Sequence, residues 1–93
     1  MEQISGLMEL KKLIRLMDDS RTPYLTDCSR TLERYLTQLL QKEINRTEFN
    51  LLIQGLIEVP KIDLPNDYSG REKKRQIVEL AKVTTPRFNS PIR

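Results

Sequence analysis

Leucines, isoleucines and aromatic residues recur at helical spacing through the first 58 residues, then thin out at Val59, where four of the chain's five prolines begin to appear. Apolar side chains three and four residues apart lie on one side of a helix. The early part of the chain therefore predicts helices that pack on one another, and the late part an extension. Charge divides at the same place. Residues 1–58 hold eight Lys/Arg and nine Asp/Glu, a net of −1; residues 59–93 hold eight and four, a net of +4. Such asymmetry points to a helical body with a cationic arm that binds something else.

The spacing predicts a first helix from about Glu2 to Met17, with Leu7, Leu10, Leu13, Ile14 and Met17 on one face and Ile4 at its margin. Met8 and Leu16 fall off that face, on the side of Lys12 and Arg15. A helix this widely apolar either sits between two neighbours or shares surface with another molecule. Asp18 and Asp19 follow, and carboxylates at a helix C-terminus oppose the dipole, so fraying is expected there.

A second helix opens with Thr22 as N-cap and Pro23 at the first helical position, where its missing N–H is harmless. Tyr24, Leu25, Cys28, Leu32, Tyr35, Leu36 and Leu39 form its core stripe, and the helix is expected to end near Lys42. A third helix begins at Asn45, whose Glu48 stands three residues on, as a capping box requires. Ile44 and Phe49 are placed as a hydrophobic staple, and Phe49, Leu52, Ile53, Leu56 and Ile57 as the core face. Short connections favour antiparallel neighbours.

Pro60 and Pro65 forbid further helix, so 59–69 reads as an extended strap anchored by Val59, Ile62, Leu64 and Tyr68. Ser69 is the expected cap of a fourth helix over 70–83, whose apolar face (Ile77, Leu80 and Ala81) is thin. The fold expected is all-α. A small antiparallel three-helix bundle over 1–58 is followed by the proline-bent strap, a short basic fourth helix over 70–83 and a flexible C-terminal tail over 84–93.

Composition narrows the chemistry. The chain has no histidine, a single cysteine and only three glycines. Histidine acid–base catalysis, His-dependent Ser or Cys dyads and zinc sites built from His and Cys are excluded. No phosphate-cradling glycine loop occurs, so neither an enzyme nor a cofactor or metal site is expected. One cysteine cannot make an internal disulfide, no apolar run is long enough to span a bilayer, and no signal-peptide pattern opens the chain. A cytoplasmic protein, or a component of a particle assembled inside the cell, is the expectation.

Two groups of residues stand out as candidate binding surfaces. Arg71, Lys73, Lys74 and Arg75, with Lys82 and Arg87 behind them, would attract a phosphate backbone or an acidic protein surface; an ordinary solvated helix face would carry the same charges. Met8, Leu16, Leu51, Gly55, Phe88 and Ile92 are the candidate protein interface. Leu51 and Gly55 fall opposite Phe49 and Ile53, one turn apart, and a glycine inside a helix costs about 1 kcal/mol against alanine, which suggests close approach by another element. Tyr24 and Tyr35 read as core residues with hydroxyls at the rim, and Cys28 as a small buried apolar side chain. Asn45-Arg46-Thr47 matches a glycosylation sequon by chance if the protein is not secreted. A helix-turn-helix built on Ser29, Arg30, Thr31 and Arg34 is disfavoured by Asp27 and Glu33, which balance the outward charge.

The function expected is non-enzymatic: an adaptor or assembly factor of a larger complex, bacterial or phage in style, that binds another protein and itself. The rival is a nucleic-acid-binding regulator using the arm at 71–93.

Overall fold

The computed structural model describes residues 6–84, and over them the chain is all-α, with no strand among the described residues. Four helices follow in order: α1 (Leu7–Asp19), α2 (Pro23–Leu40), α3 (Arg46–Ile53) and α4 (Tyr68–Thr84), with a 3-10 turn at Val59–Lys61 between the last two.

The helix ends show how local chemistry sets the boundaries. Gly6 adopts a left-handed conformation (φ 77°), so α1 starts at Leu7; the earlier start expected at Glu2 lies outside the described residues, as does Ile4. The other end of α1 runs on to Asp19. There the Ser20 hydroxyl donates to the Met17 carbonyl at 2.6 Å, and its backbone N–H donates to Leu16 and Met17, satisfying carbonyls that Asp18 and Asp19 cannot. Thr22 is the N-cap of α2 with Pro23 beside it, yet its side chain makes no capping bond; its hydroxyl lies 3.2 Å from that of Ser20. The C-terminus of α2 closes with Lys42 in the left-handed region (φ 63°). The Lys42 N–H donates to Leu39 and the Glu43 N–H to Gln38, the paired bonds of a Schellman ending. Asn45 and Glu48 form the expected capping box at α3, with bonds of 2.8 and 2.9 Å.

α3 is shorter than its apolar pattern implied. It stops at Ile53, Gln54 turns to extended backbone, and Gly55 takes φ 72°. Gly55 is therefore a turn residue beyond the helix and not an intrahelical notch. A side chain added there would meet nothing within 4 Å, so its left-handed backbone, rather than close packing, accounts for it. Leu52, expected in the core, is exposed, while Ile57 reaches the core from outside the helix.

The strap behaves as an anchored extended segment at Ile62, which is buried, and at Leu64, which packs against the core edge. Tyr68 is no anchor: it is 77% exposed and opens α4. Asp67, not Ser69, supplies the cap, its carboxylate accepting from the Gly70 N–H at 2.7 Å and its carbonyl from Arg71. Gly70 is buried against the Pro65 backbone, where a Cβ would overlap the Pro65 carbonyl.

The core joins α1 (Leu10, Leu13, Met17), α2 (Leu25, Cys28, Leu32, Leu36, Leu39), α3 (Phe49, Ile53), Ile57, Ile62 and α4 (Ile77, Ala81). Its packing corrects the expected bundle. α1 pairs extensively with both α2 and α4, whereas α3 packs mainly on α2. Thus α4 replaces α3 as the third principal helix. Its thin apolar face suffices because it is completely buried at Ile77 and Ala81. The Ser29 hydroxyl donates to the Ile14 carbonyl at 3.1 Å and ties α2 to α1.

Candidate functional site

Large apolar side chains that the core leaves in solvent are the first candidate surface. Met8 on α1 is 80% exposed and Leu51 on α3 is 65% exposed; Leu40, Leu52, Tyr68 and Val83 are also exposed. Met8 and Leu51 are exposed, as their place off the core stripes implied. Leu16 does not stand free: it is half-buried against the core. Phe88 and Ile92 lie outside the described residues. Leu52 joins Leu51 as consecutive exposed leucines of α3, a pairing the periodicity hid by extending the helix to Ile57. The earlier stop comes with the left-handed backbone of Gly55, which the sequence reading placed inside the helix.

The molecule is only 21 Å across its shortest axis, about two helix diameters. In so thin a body each helix keeps an outward side. For α3 that side carries Leu51.

The basic residues form a second surface. The buried stripe of α4 runs through Gly70, Ile77, Ala81 and Thr84, and helical geometry sets Arg71, Arg75 and Lys82 on the outward side, where all three are exposed. Lys73 and Lys74 flank the stripe and are half-buried; their aliphatic stems can cover apolar surface while the ammonium groups stay in water. Arg75 pairs with Glu72, which holds that carboxyl below the usual range and raises the guanidinium in turn. No carboxylate among the described residues comes within ion-pair distance of Arg71, Lys73, Lys74 or Lys82. Arg87 lies outside the described residues.

A third cluster holds the chain that follows α3. The Tyr24 hydroxyl donates to the Leu56 carbonyl at 3.3 Å and accepts from the Glu58 N–H at 2.7 Å. The Cys28 thiol donates to the same carbonyl at 3.6 Å. Burial pushes the Tyr24 phenol up to about 12, against a lowering by its Glu58 bond, and burial likewise raises the Cys28 thiol. Both groups are thereby held protonated near neutral pH. They act as hydrogen-bond clasps, and the sequence reading of Cys28 as a buried, unreactive residue fits this setting.

Among the described residues no group of three or more His, Cys, Asp and Glu is gathered as a metal would need, and no helix is long and apolar enough to cross a membrane. No protein-family model, curated protein or solved structure matches this chain.

Proposed function

We propose that the protein is a non-enzymatic interaction module, an adaptor or assembly factor that works inside the cell as a small part of a larger complex and associates with itself. The observation that carries this reading is the exposed leucine pair of α3, Leu51 with Leu52, on a helix that packs mainly on α2. Apolar side chains kept in water on an ordered helix are spare binding surface when a partner covers them. The predicted test is Leu51→Glu. The variant should keep wild-type helical content and melting while losing co-purifying protein or self-association, read by light scattering at two concentrations and by pull-down. A wild type that is strictly monomeric and captures nothing ends this reading.

A second reading rests on Arg71 and Lys82, exposed on the outward side of α4 with no carboxylate of the described residues in ion-pair reach. Here the partner is nucleic acid, met through its phosphates. Changing Arg71 and Lys82, together with Lys73 and Lys74, to Gln should then abolish salt-sensitive retention on DNA or RNA, and nuclease treatment should release the captured material. Absence of retention by the wild type at low ionic strength removes it.

A further inference from the structure

The outward side of α1 carries its basic residues ahead of its acidic ones. Opposite the buried Leu10, Leu13 and Met17 lie Met8, Lys11, Lys12, Arg15, Asp18 and Asp19, all exposed. The three cations lie in the middle of the helix, behind Glu9 of the first turn, and the two carboxylates in its last turn. Only the carboxylates oppose the macrodipole, which favours base at the C-terminus. None of the five takes part in an ion pair among the described residues, although Arg15 is followed by carboxylates three and four positions on.

We propose that this face docks onto the same face of a second copy of the chain, the two α1 helices running antiparallel about a two-fold axis close to Arg15. The inference rests on the reading above only in that the chain associates with itself, and it places that association on α1 instead of on Leu51 and Leu52. The charge order selects the occupant. From Lys11 to Asp19 the face spans about 12 Å of helix axis and changes sign along it. A parallel pair would set cation on cation and acid on acid, whereas the antiparallel pair sets Lys11 and Lys12 against Asp19 and Asp18 of the partner subunit. The axis sets Arg15 beside Arg15 of the partner subunit, a single like-charge contact that each guanidinium relieves by reaching one turn along to the same carboxylates. A two-fold contact of this kind is isologous, each patch being its own complement. Met8, 80% exposed, then covers the connection that ends at Thr22 of the partner subunit.

A contact made mostly of surface ion pairs is weak and sensitive to salt. That separates it from association through Leu51 and Leu52, which salt does not screen. The experiment is sedimentation equilibrium of the whole chain in about 10 mM and about 1 M salt, between which the screening length falls from about 30 Å to about 3 Å. Wild type, Lys11→Glu with Lys12→Glu, Asp18→Lys with Asp19→Lys, and the fourfold exchange are compared. Asp18→Lys with Asp19→Lys improves the match to the dipole, and Glu is as good a helix former as Lys at 11 and 12, so the variants keep their helices, as circular dichroism would verify. The dimer constant of the wild type should weaken at least about tenfold at high salt. Each double reversal should be monomeric, because it leaves a face of nearly one sign, and the fourfold exchange should dimerise again. A wild type that is monomeric at low salt, or a dimer that survives both double reversals, overturns the proposal. If that surviving dimer is lost in Leu51→Glu, the α1 docking is wrong and the α3 surface stands.

Discussion

Tyr24 shows how one side chain can fix a stretch of chain that has no helix of its own. Its hydroxyl bonds to two backbone groups, at Leu56 and Glu58, and so holds the segment after α3 against the start of α2. Ionisation would remove the proton donated to Leu56 and place a charge in a poorly solvated spot, which is why the group titrates near 12 instead of its ordinary 10. The folded state thus binds the proton more tightly than the unfolded chain does. Stability from this source is fully present below pH 10 and is lost as pH rises from about 10 towards 12. Tyr24→Phe should flatten that part of the pH profile relative to wild type, measured by urea denaturation at pH 8, 10 and 11. At pH 8 it should cost about 1 kcal/mol, since the Glu58 N–H loses its acceptor.

At the scale of elements, α4 depends on its junction with the strap. Gly70 touches the Pro65 backbone and receives the Asp67 cap, so one short loop both turns the chain and starts the helix. Gly70→Ala should destabilise the protein by roughly 1–3 kcal/mol by overpacking, despite the higher helix propensity of alanine. A chemical denaturation midpoint equal to or above that of wild type would show that the junction tolerates a methyl group. The elements also show what could be read from the chain beforehand. The α2 stripe, the Asn45–Glu48 box and the all-α class were legible because period and cap chemistry agree there. The end of α3 was not: Leu56 and Ile57 continue the helical spacing of Phe49 and Ile53, and the break lies in the backbone, extended at Gln54 and left-handed at Gly55. The weight of α4 was underread for a related reason. Ile77, Leu80 and Ala81 look like a poor apolar face, yet Ile77 and Ala81 are completely buried in the core and Leu80 packs against it. As for the candidate surfaces, Met8 and Leu51 were visible as apolar residues off the stripe, but Leu16 sits on the same flank of the wheel and is covered by packing that no single helix encodes.

Across the molecule, one continuous core holds every helix, so a charge placed at its centre has no local remedy. Leu32 is completely buried among the core residues. Leu32→Asp should abolish cooperative thermal unfolding, because an unpaired carboxylate is costly in an apolar interior. A sharp transition near that of wild type would mean that the α2 stripe faces water.

The pairing of α1 with α4 joins the first described helix to the last. Contacts between segments so distant along a chain close slowly, and they cannot form before both have been made. During synthesis, then, the nascent polypeptide must leave the ribosome with Leu10, Leu13 and Met17 lacking one of their covers until Thr84 emerges. Any product terminated before the strap would be delivered with that flank bare, a substrate for chaperones or proteases instead of a smaller working protein.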